Sequence, residues 1–411
     1  MIAGAAGADL RVPAGTSLAG YGALGRRLIL PDVFGRHPHA FWFRPHQGVL
    51  DPIGVRALVL ESGDRRLVWV TLDLIAVDRA FTAAVASRLR AARLPPAVLL
   101  LSASHTHSGP GGFLDAGVFG PLSAERHDPV VRDVFAEDVV AVVRRAMDAR
   151  APARVAAARV RTPTLTTGRL GHPTDPELVV LKVTAPNGAL RAALWNYAIH
   201  GTMLGSRNLK LSGDVMGLAT RALERELRVP VLFVNGAVGD VSPERHGEVE
   251  IQGAARQLAA ATRAALDAAT RAGSAPLRLR TARLELPAPY VSLKNCAGGW
   301  VPGALTLPLD NALPRDVELV AGTVGDAAWV TIPGELQTVF GAAIKKSAGA
   351  HWAQPFVAGV TNDYLGYFVT ARDYARPAYV SCASLYGPDT GARLTAAAEA
   401  LLAALARGAS R

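Results

Sequence analysis

The chain has 411 residues, half of them hydrophobic, so it can bury a large core and is not globally disordered. Its formal charge of +10 rests on 39 Arg and only five Lys, scattered singly or in pairs such as Arg26-Arg27 and Arg144-Arg145. Without a dense basic block there is no nucleic-acid footprint, whereas dispersed positive charge suits an approach to an anionic lipid surface. No window reaches roughly 18 consecutive apolar residues, and the start lacks a basic segment followed by a long apolar one. The expected location is therefore cytoplasmic for the chain as written, or secreted if a leader has been trimmed. The two cysteines, Cys296 and Cys382, match no zinc or redox spacing, and either one disulfide or two free thiols fits them.

In chain order, residues 3–12 read as an opening strand. Residues 13–50 read as a long ordered loop, a length often associated with a site. Strands are expected at 55–61 and 67–74 around a Ser-Gly-Asp turn, then a helix over 78–93, a strand over 97–103 and a helix over 130–149. Strands follow near 153–162, 178–184 and 190–199, a helix over 215–227, a strand over 229–235 and a long Ala-rich helix over 248–272. Residues 276–287 read as a strand and 288–315 as a Pro/Gly-rich excursion. Two more strands are expected at 327–332 and 355–361, and a final amphipathic helix at 391–407. No internal repeat or clear linker appears. This alternation predicts an α/β layered sandwich, with a mixed β-sheet core flanked by helices and the active site at the strand carboxyl ends.

The segment Ser102-Ala-Ser-His-Thr-His-Ser-Gly-Pro-Gly-Gly112 closes the strand over 97–103. If strand geometry persists to residue 107, alternation puts the His105 and His107 imidazoles on one face. Glycines beyond them let the backbone approach a ligand closely. Other polar clusters also stand where an apolar strand stops: His200, Asp240/Ser242, Glu335 and Tyr364/Tyr367. Two His and one Glu are a common protein ligand set for catalytic zinc, with a position left for water. Zinc lowers the pKa of that water to roughly 7 and polarises a carbonyl, so amide or ester hydrolysis follows. Taken singly, each residue has an ordinary alternative. Glu335 would cap the following helix, Ser242 would make an N-cap turn, Arg169 would be a surface cation, and His200 and Tyr367 would be packing residues.

The segments SASHTHSGPGGF, NYAIHGTML, NGAVGDVSP, IPGEL and TNDYLGYFVTARDY occur in the order found in the neutral/alkaline (non-lysosomal) ceramidase family, which the chain resembles. AGADLRVPAGTSLAGYG and HPTDPELVVLKV resemble it too. The likeness covers nearly the whole chain as that family's N-terminal catalytic domain, so residues 1–411 are expected to be one such domain without the C-terminal immunoglobulin-like domain of typical members. The resemblance implies a single catalytic Zn²⁺ held by His105, His200, Glu335 and Tyr367. Tyr367 is preferred to Tyr364 because a second active-site tyrosine, Tyr379, then falls twelve residues beyond it, as in the family.

The resemblance also places His107 and Arg169 against the scissile amide and its oxyanion, and makes Ser242 the essential serine. The activity it implies is zinc-dependent hydrolysis of the N-acyl amide of ceramide or a related N-acyl lipid. Metal-activated water is favoured as the nucleophile over Ser242. Other readings are a zinc hydrolase of another amide or ester, and a catalytically silent binding homologue. Where the family has Ser-Pro-Asn, this chain reads Ser242-Pro-Glu244, which bears on the substrate more than on the zinc chemistry. The apolar loops 28–43 and 286–309 are candidates for an acyl pocket, for transient contact with a membrane surface, or for lid packing. The other histidines (37, 39, 46, 127, 172, 246 and 351) are expected to be ordinary surface or packing residues.

Overall fold

Residues 67–72, Leu-Val-Trp-Val-Thr-Leu, are apolar on both faces, as a strand covered on both sides must be. In the computed structural model this strand lies in the first of three larger sheets. The structure describes the chain except for residues 96, 116–119, 164, 271, 274–275, 299, 311 and 409–411. The first sheet contains β1 (Ile2–Asp9), β2 (Gly54–Ser62), β3 (Arg65–Leu72) and β4 (Val98–Ala103), in the order β4-β3-β2-β1. The second contains β5 (Arg154–Arg161), β6 (Glu177–Thr184), β7 (Leu190–Tyr197) and β8 (Val231–Asn235), in the order β8-β7-β6-β5. The third contains β9 (Arg278–Glu285), β10 (Asp316–Val324), β11 (Ala327–Thr331) and β12 (Gln354–Ala358), paired consecutively. Two-residue strands extend the far edges of the first two sheets.

The inner faces of the sheets share one core. Leu58, Leu60 and Trp69 of the first sheet meet Leu181 and Leu194 of the second, and Trp329 and Phe356 of the third. The Trp69 and Trp329 ring centroids are 5.3 Å apart. The alternate side chains of each strand face helices. α1 (Arg79–Ala91) and α2 (Pro129–Asp148) pack on the first sheet through Phe81 and Phe135. α3 (Asp214–Leu227) and α4 (Glu248–Ala268) cover the second through Leu223 and Leu258, and α5 (Thr338–Ala348) and α6 (Thr390–Arg407) cover the third through Ile344 and Leu402. Local signals start the helices: Asp78 accepts from the Phe81 amide, and Asp128 accepts from that of Val130 behind Pro129.

Each sheet contains one parallel pair among its longer strands: β3/β4, β7/β8 and β11/β12. Their carboxyl ends meet. The Ala103 amide donates to Val360 O at 3.0 Å, and that of Gly359 donates to Asn235 O at 2.9 Å. The layered α/β architecture with mixed sheets thus matches the sequence expectation, but it contains three mixed sheets rather than one.

β10 was not expected. Its face is interrupted by Asp316, Glu318 and Gly322, yet a Cβ at Gly322 would lie 2.3 Å from the Trp329 ring, so the glycine makes room for that indole. The opening strand ends at Asp9 instead of Val12, and the Ala-rich helix ends at Ala268. The excursion over 288–315 contains a small ribbon, Tyr290–Ser292 against Thr306–Pro308, and a short helix, Leu293–Ala297. Cys296 and Cys382 form a disulfide, which settles the two alternatives. Among the described residues no helix is long and apolar enough to cross a membrane.

The loop between His200 and α3 is held by buried carboxyls. Asp51 accepts from the Gly213 amide at 2.9 Å and from the Ser212 hydroxyl, while Asp214 accepts from the amides of Met203, Leu204 and Val215. Burial pushes both carboxyls up to about 6, against the pull of those hydrogen bonds. Above an unfolded-state value of about 4, the folded chain keeps protons that the unfolded chain releases. Stability from this source is therefore full below that value and lost as pH rises through the folded values. Urea titrations from about pH 4 to about pH 7 should show the unfolding free energy falling, and Asp51→Asn should shallow the fall, leaving the share due to Asp214.

Candidate metal centre

Three arms build the centre, one from each sheet. On the first, the strand ends at Ala103, as expected, but strand geometry does not persist to residue 107, because His105 takes a φ of 68°. Non-glycine residues seldom enter this region, and they often do so at functional sites. The turn is held on both sides, because the amide of His105 donates to Leu74 O and that of His107 to Gly201 O. On the second arm, β7 runs out through Ala198 and Ile199 to His200. On the third, Glu335–Leu336 pairs in parallel with Tyr367–Phe368, and the register sets Glu335 beside Tyr367.

Two glycines let these arms touch. A Cβ on Gly201 would lie 2.5 Å from His105 O, and one on Gly239 would lie 2.5 Å from Glu335 O. Asn235, at the end of β8, ties the arms together. Its Nδ2 donates to Ser104 O and Ile199 O, each at 2.9 Å, and these carbonyls immediately precede His105 and His200.

His105 Nδ1 lies 2.6 Å from Ile75 O, and His107 Nδ1 lies 2.9 Å from Gly20 O. A carbonyl only accepts, so both Nδ1 atoms carry a hydrogen, and a neutral ring held this way presents its lone pair at Nε2. Those Nε2 atoms lie 3.2 and 3.1 Å from His200 Nε2, and His105 Nε2 is 3.2 Å from Glu335 Oε1. His200 Nδ1 and Glu335 Oε2 are buried without a hydrogen-bond partner. Burial holds His107 and His200 well below the ordinary imidazole value. For His107 the neighbouring His105 and Arg169 add to this, and for His200 Arg169 and His105 do. The His107 and His200 rings therefore stay neutral. This pocket has more acceptors than donors, and a divalent cation is the group that would satisfy them together. His105, His107 and His200 form the metal-competent cluster, with Glu335 against it.

The tyrosines surround Glu335. Tyr364 donates to Glu335 Oε1 at 2.6 Å. Tyr367 is buried, and burial followed by the Glu335 charge raises its phenol well above the usual value. The Tyr379 ring stands 5.7 Å from that of Tyr367, and the residue is 67% exposed, which puts it at the solvent end of the site. Arg169 follows the strand Thr166–Gly168, which pairs with Val241–Pro243 so that Thr167 faces Ser242. Its Nε donates to Ser242 Oγ at 2.7 Å. Asp240 has a different task from the one its position suggested, since it accepts from the amide and hydroxyl of Thr338 at the start of α5. It takes the capping role considered for Glu335.

Two further features escaped the sequence reading. Asn235 is signalled only by an amide that ends an apolar strand just before glycine. His172 joins Asp373 at 2.8 Å, and Gln337 donates to the same carboxylate at 2.7 Å. This links the Arg169 loop to the segments carrying Glu335 and Tyr367, and no local pattern marks it.

Fold and centre together define a layered α/β protein with a buried histidine and glutamate site suited to a divalent cation. A sequence profile described as neutral/alkaline non-lysosomal ceramidase, N-terminal, matches residues 44–278, more than half of the chain, and the chain belongs to that family. The neutral ceramidase of Pseudomonas aeruginosa is 28% identical over 211 residues, covering 46% of this chain and 31% of that protein. The neutral ceramidase of Drosophila melanogaster is 27% identical over 177 residues, covering 36% and 24%. The match thus spans about a third or less of the length of these curated relatives. A crystal structure of the Pseudomonas aeruginosa neutral ceramidase shares the fold, with a TM-score of 0.81 and 21% identity over 99% of this chain and 74% of that one. A ceramidase complexed with C2 gives 0.81 and 20% over 98% and 75%.

Gly201→Ala and Gly239→Ala should each force two arms apart at an overpacking cost of about 1–3 kcal/mol. Metal analysis after zinc loading should show a large loss of bound ion, while circular dichroism stays native. Asn235→Ala strands the Ser104 and Ile199 carbonyls at about 1–3 kcal/mol each, and should lower both the unfolding midpoint and the zinc content.

Proposed function

We propose that the protein is a zinc-dependent amidohydrolase that cleaves the N-acyl amide of ceramide or a related N-acyl lipid. The observation that carries this reading is the convergence of three buried imidazoles and the Glu335 carboxylate on one point, beside the Arg169–Ser242 pair. Membership of the ceramidase family supports the choice of an amide as substrate. His105, His200, Glu335 and Tyr367 would hold the ion. Of the three imidazoles, His105 and His200 reach Glu335, at 3.2 and 3.7 Å, which favours these two as its companions. When bound, zinc supplies the Lewis acidity that makes water a nucleophile near neutral pH.

The chain's own residues do the rest. His107 has its hydrogen fixed on Nδ1 by Gly20 O, so its Nε2 is the atom that can accept a hydrogen bond from a substrate N–H or O–H. Tyr379 is a phenol whose ordinary value already lies far above neutral, so it keeps its proton and can donate it to the oxyanion, as can the Arg169 guanidinium. Ser242 is bonded to Arg169 Nε. A guanidinium cannot take a proton at working pH, which favours Ser242 as a positioning hydroxyl over a nucleophile that needs a base.

Zinc-loaded protein incubated with ceramide, shorter N-acyl amides and esters should release sphingosine from ceramide. Turnover of the other compounds alone would redirect the assignment to a different acyl bond, and turnover of none would point to a silent homologue. His105→Ala should lose both zinc and turnover. Ser242→Ala should keep its zinc while kcat falls by roughly 10²–10³, the scale of a lost oxyanion contact. Full zinc occupancy in His105→Ala would remove His105 from the ligand set.

A further inference from the structure

Large apolar side chains are exposed on two loops rooted at the centre. On the first loop Ile29 is 94% and Phe34 81% exposed, with Leu30 beside them; on the second, Trp300 is 82% exposed, together with Leu305 and Leu307. Isolated exposed apolar residues are ordinary, but two such groups beside one site are not. Both loops are firmly anchored. The buried Arg26 guanidinium donates to His107 O at 2.7 Å and to Ala19 O at 3.1 Å, which fixes the root of the first loop against the metal arm. The second is tied by the Cys296–Cys382 disulfide to the short helix that begins at Tyr379, and the Asn295 amide reaches Tyr374 O at 3.0 Å.

The first loop is net positive. Arg36 and Arg44 are exposed on the first loop, and Lys294 lies on the second. Asp32, hydrogen-bonded by the His37 amide, stays charged, and the two arginines still leave the first loop net positive.

We infer that these two loops form an interfacial docking rim that seats the candidate site on a bilayer containing anionic lipid. Aliphatic and aromatic tips would enter the headgroup boundary while the cations meet lipid phosphates. The chain's charge of +10 disfavours a second copy as the occupant and favours an anionic surface. The inference deepens the amidohydrolase reading, because an N-acyl lipid would then be met in the membrane rather than in water. Vesicle binding, however, can be measured without any turnover.

The test is co-sedimentation of the full, zinc-loaded chain with phosphatidylcholine vesicles, with and without phosphatidylglycerol. Binding should appear with phosphatidylglycerol and weaken as salt rises. Ile29→Ser/Phe34→Ser and Trp300→Ser should each weaken it at least about tenfold, the expected result of removing large buried apolar side chains. Circular dichroism should show native folding for both variants, and hydrolysis of a water-dispersed short-chain N-acyl substrate should match that of the parent chain. Arg36→Glu/Arg44→Glu should lose the phosphatidylglycerol dependence.

Absence of vesicle binding, or unchanged binding by the serine variants, overturns the inference. So does a dimer in solution that the same variants dissociate. Binding without hydrolysis of any substrate leaves the rim standing and removes the amidohydrolase reading; hydrolysis of soluble substrate without binding does the reverse.

Discussion

One side-chain amide holds the three arms in register. Asn235 donates to the carbonyls just ahead of His105 and His200, and its own backbone carbonyl receives the Gly359 amide on the segment leading towards Tyr364 and Tyr367. Its Oδ1 accepts from the amides of Gly236 and Ile199. Every hydrogen-bonding position of this buried amide is filled, the condition under which a polar group in a core adds specificity instead of cost. Aspartate at this position would put acceptors where two carbonyls need donors. A hydrophobic residue of similar size would leave those carbonyls unpaired.

The layering explains why such a knot is needed. Each sheet packs one face against its own helices and the other against the shared core around Trp69, Trp329 and Phe356. Hydrophobic contact holds the sheets together but is non-directional, and it does not by itself fix where the strand ends point. Directional hydrogen bonds do that, together with glycines that let backbones approach. The strained turn at His105 persists because hydrogen bonds on both sides determine its conformation.

Much of this was visible in the residues. The helix periods, the apolar runs and the polar residues that end them predicted the layered class, and they located His105, His107, His200, Glu335 and the tyrosines at strand carboxyl ends. Long-range pairing was not visible. The partners of Asn235 lie 131 and 36 positions away, those of His172 and Gln337 lie 201 and 36 away on Asp373, and the half-cystines are separated by 86. Local pattern also misled in two places. Charges and a glycine concealed β10, whose glycine makes space for an indole, and Asp240 resembled a site residue while it anchors a helix.

An ion held where three separately supported layers end would be a cross-link among them. Fraying of any one sheet at its carboxyl end would then have to break coordination at the others' expense, so occupancy couples local openings that would otherwise be independent. Slow exchange of the amides near Ala103, Tyr197 and Thr331 would appear as a single cooperative unit with metal and as three units without it. Assembly of the chain and readiness of its chemistry would then be one event.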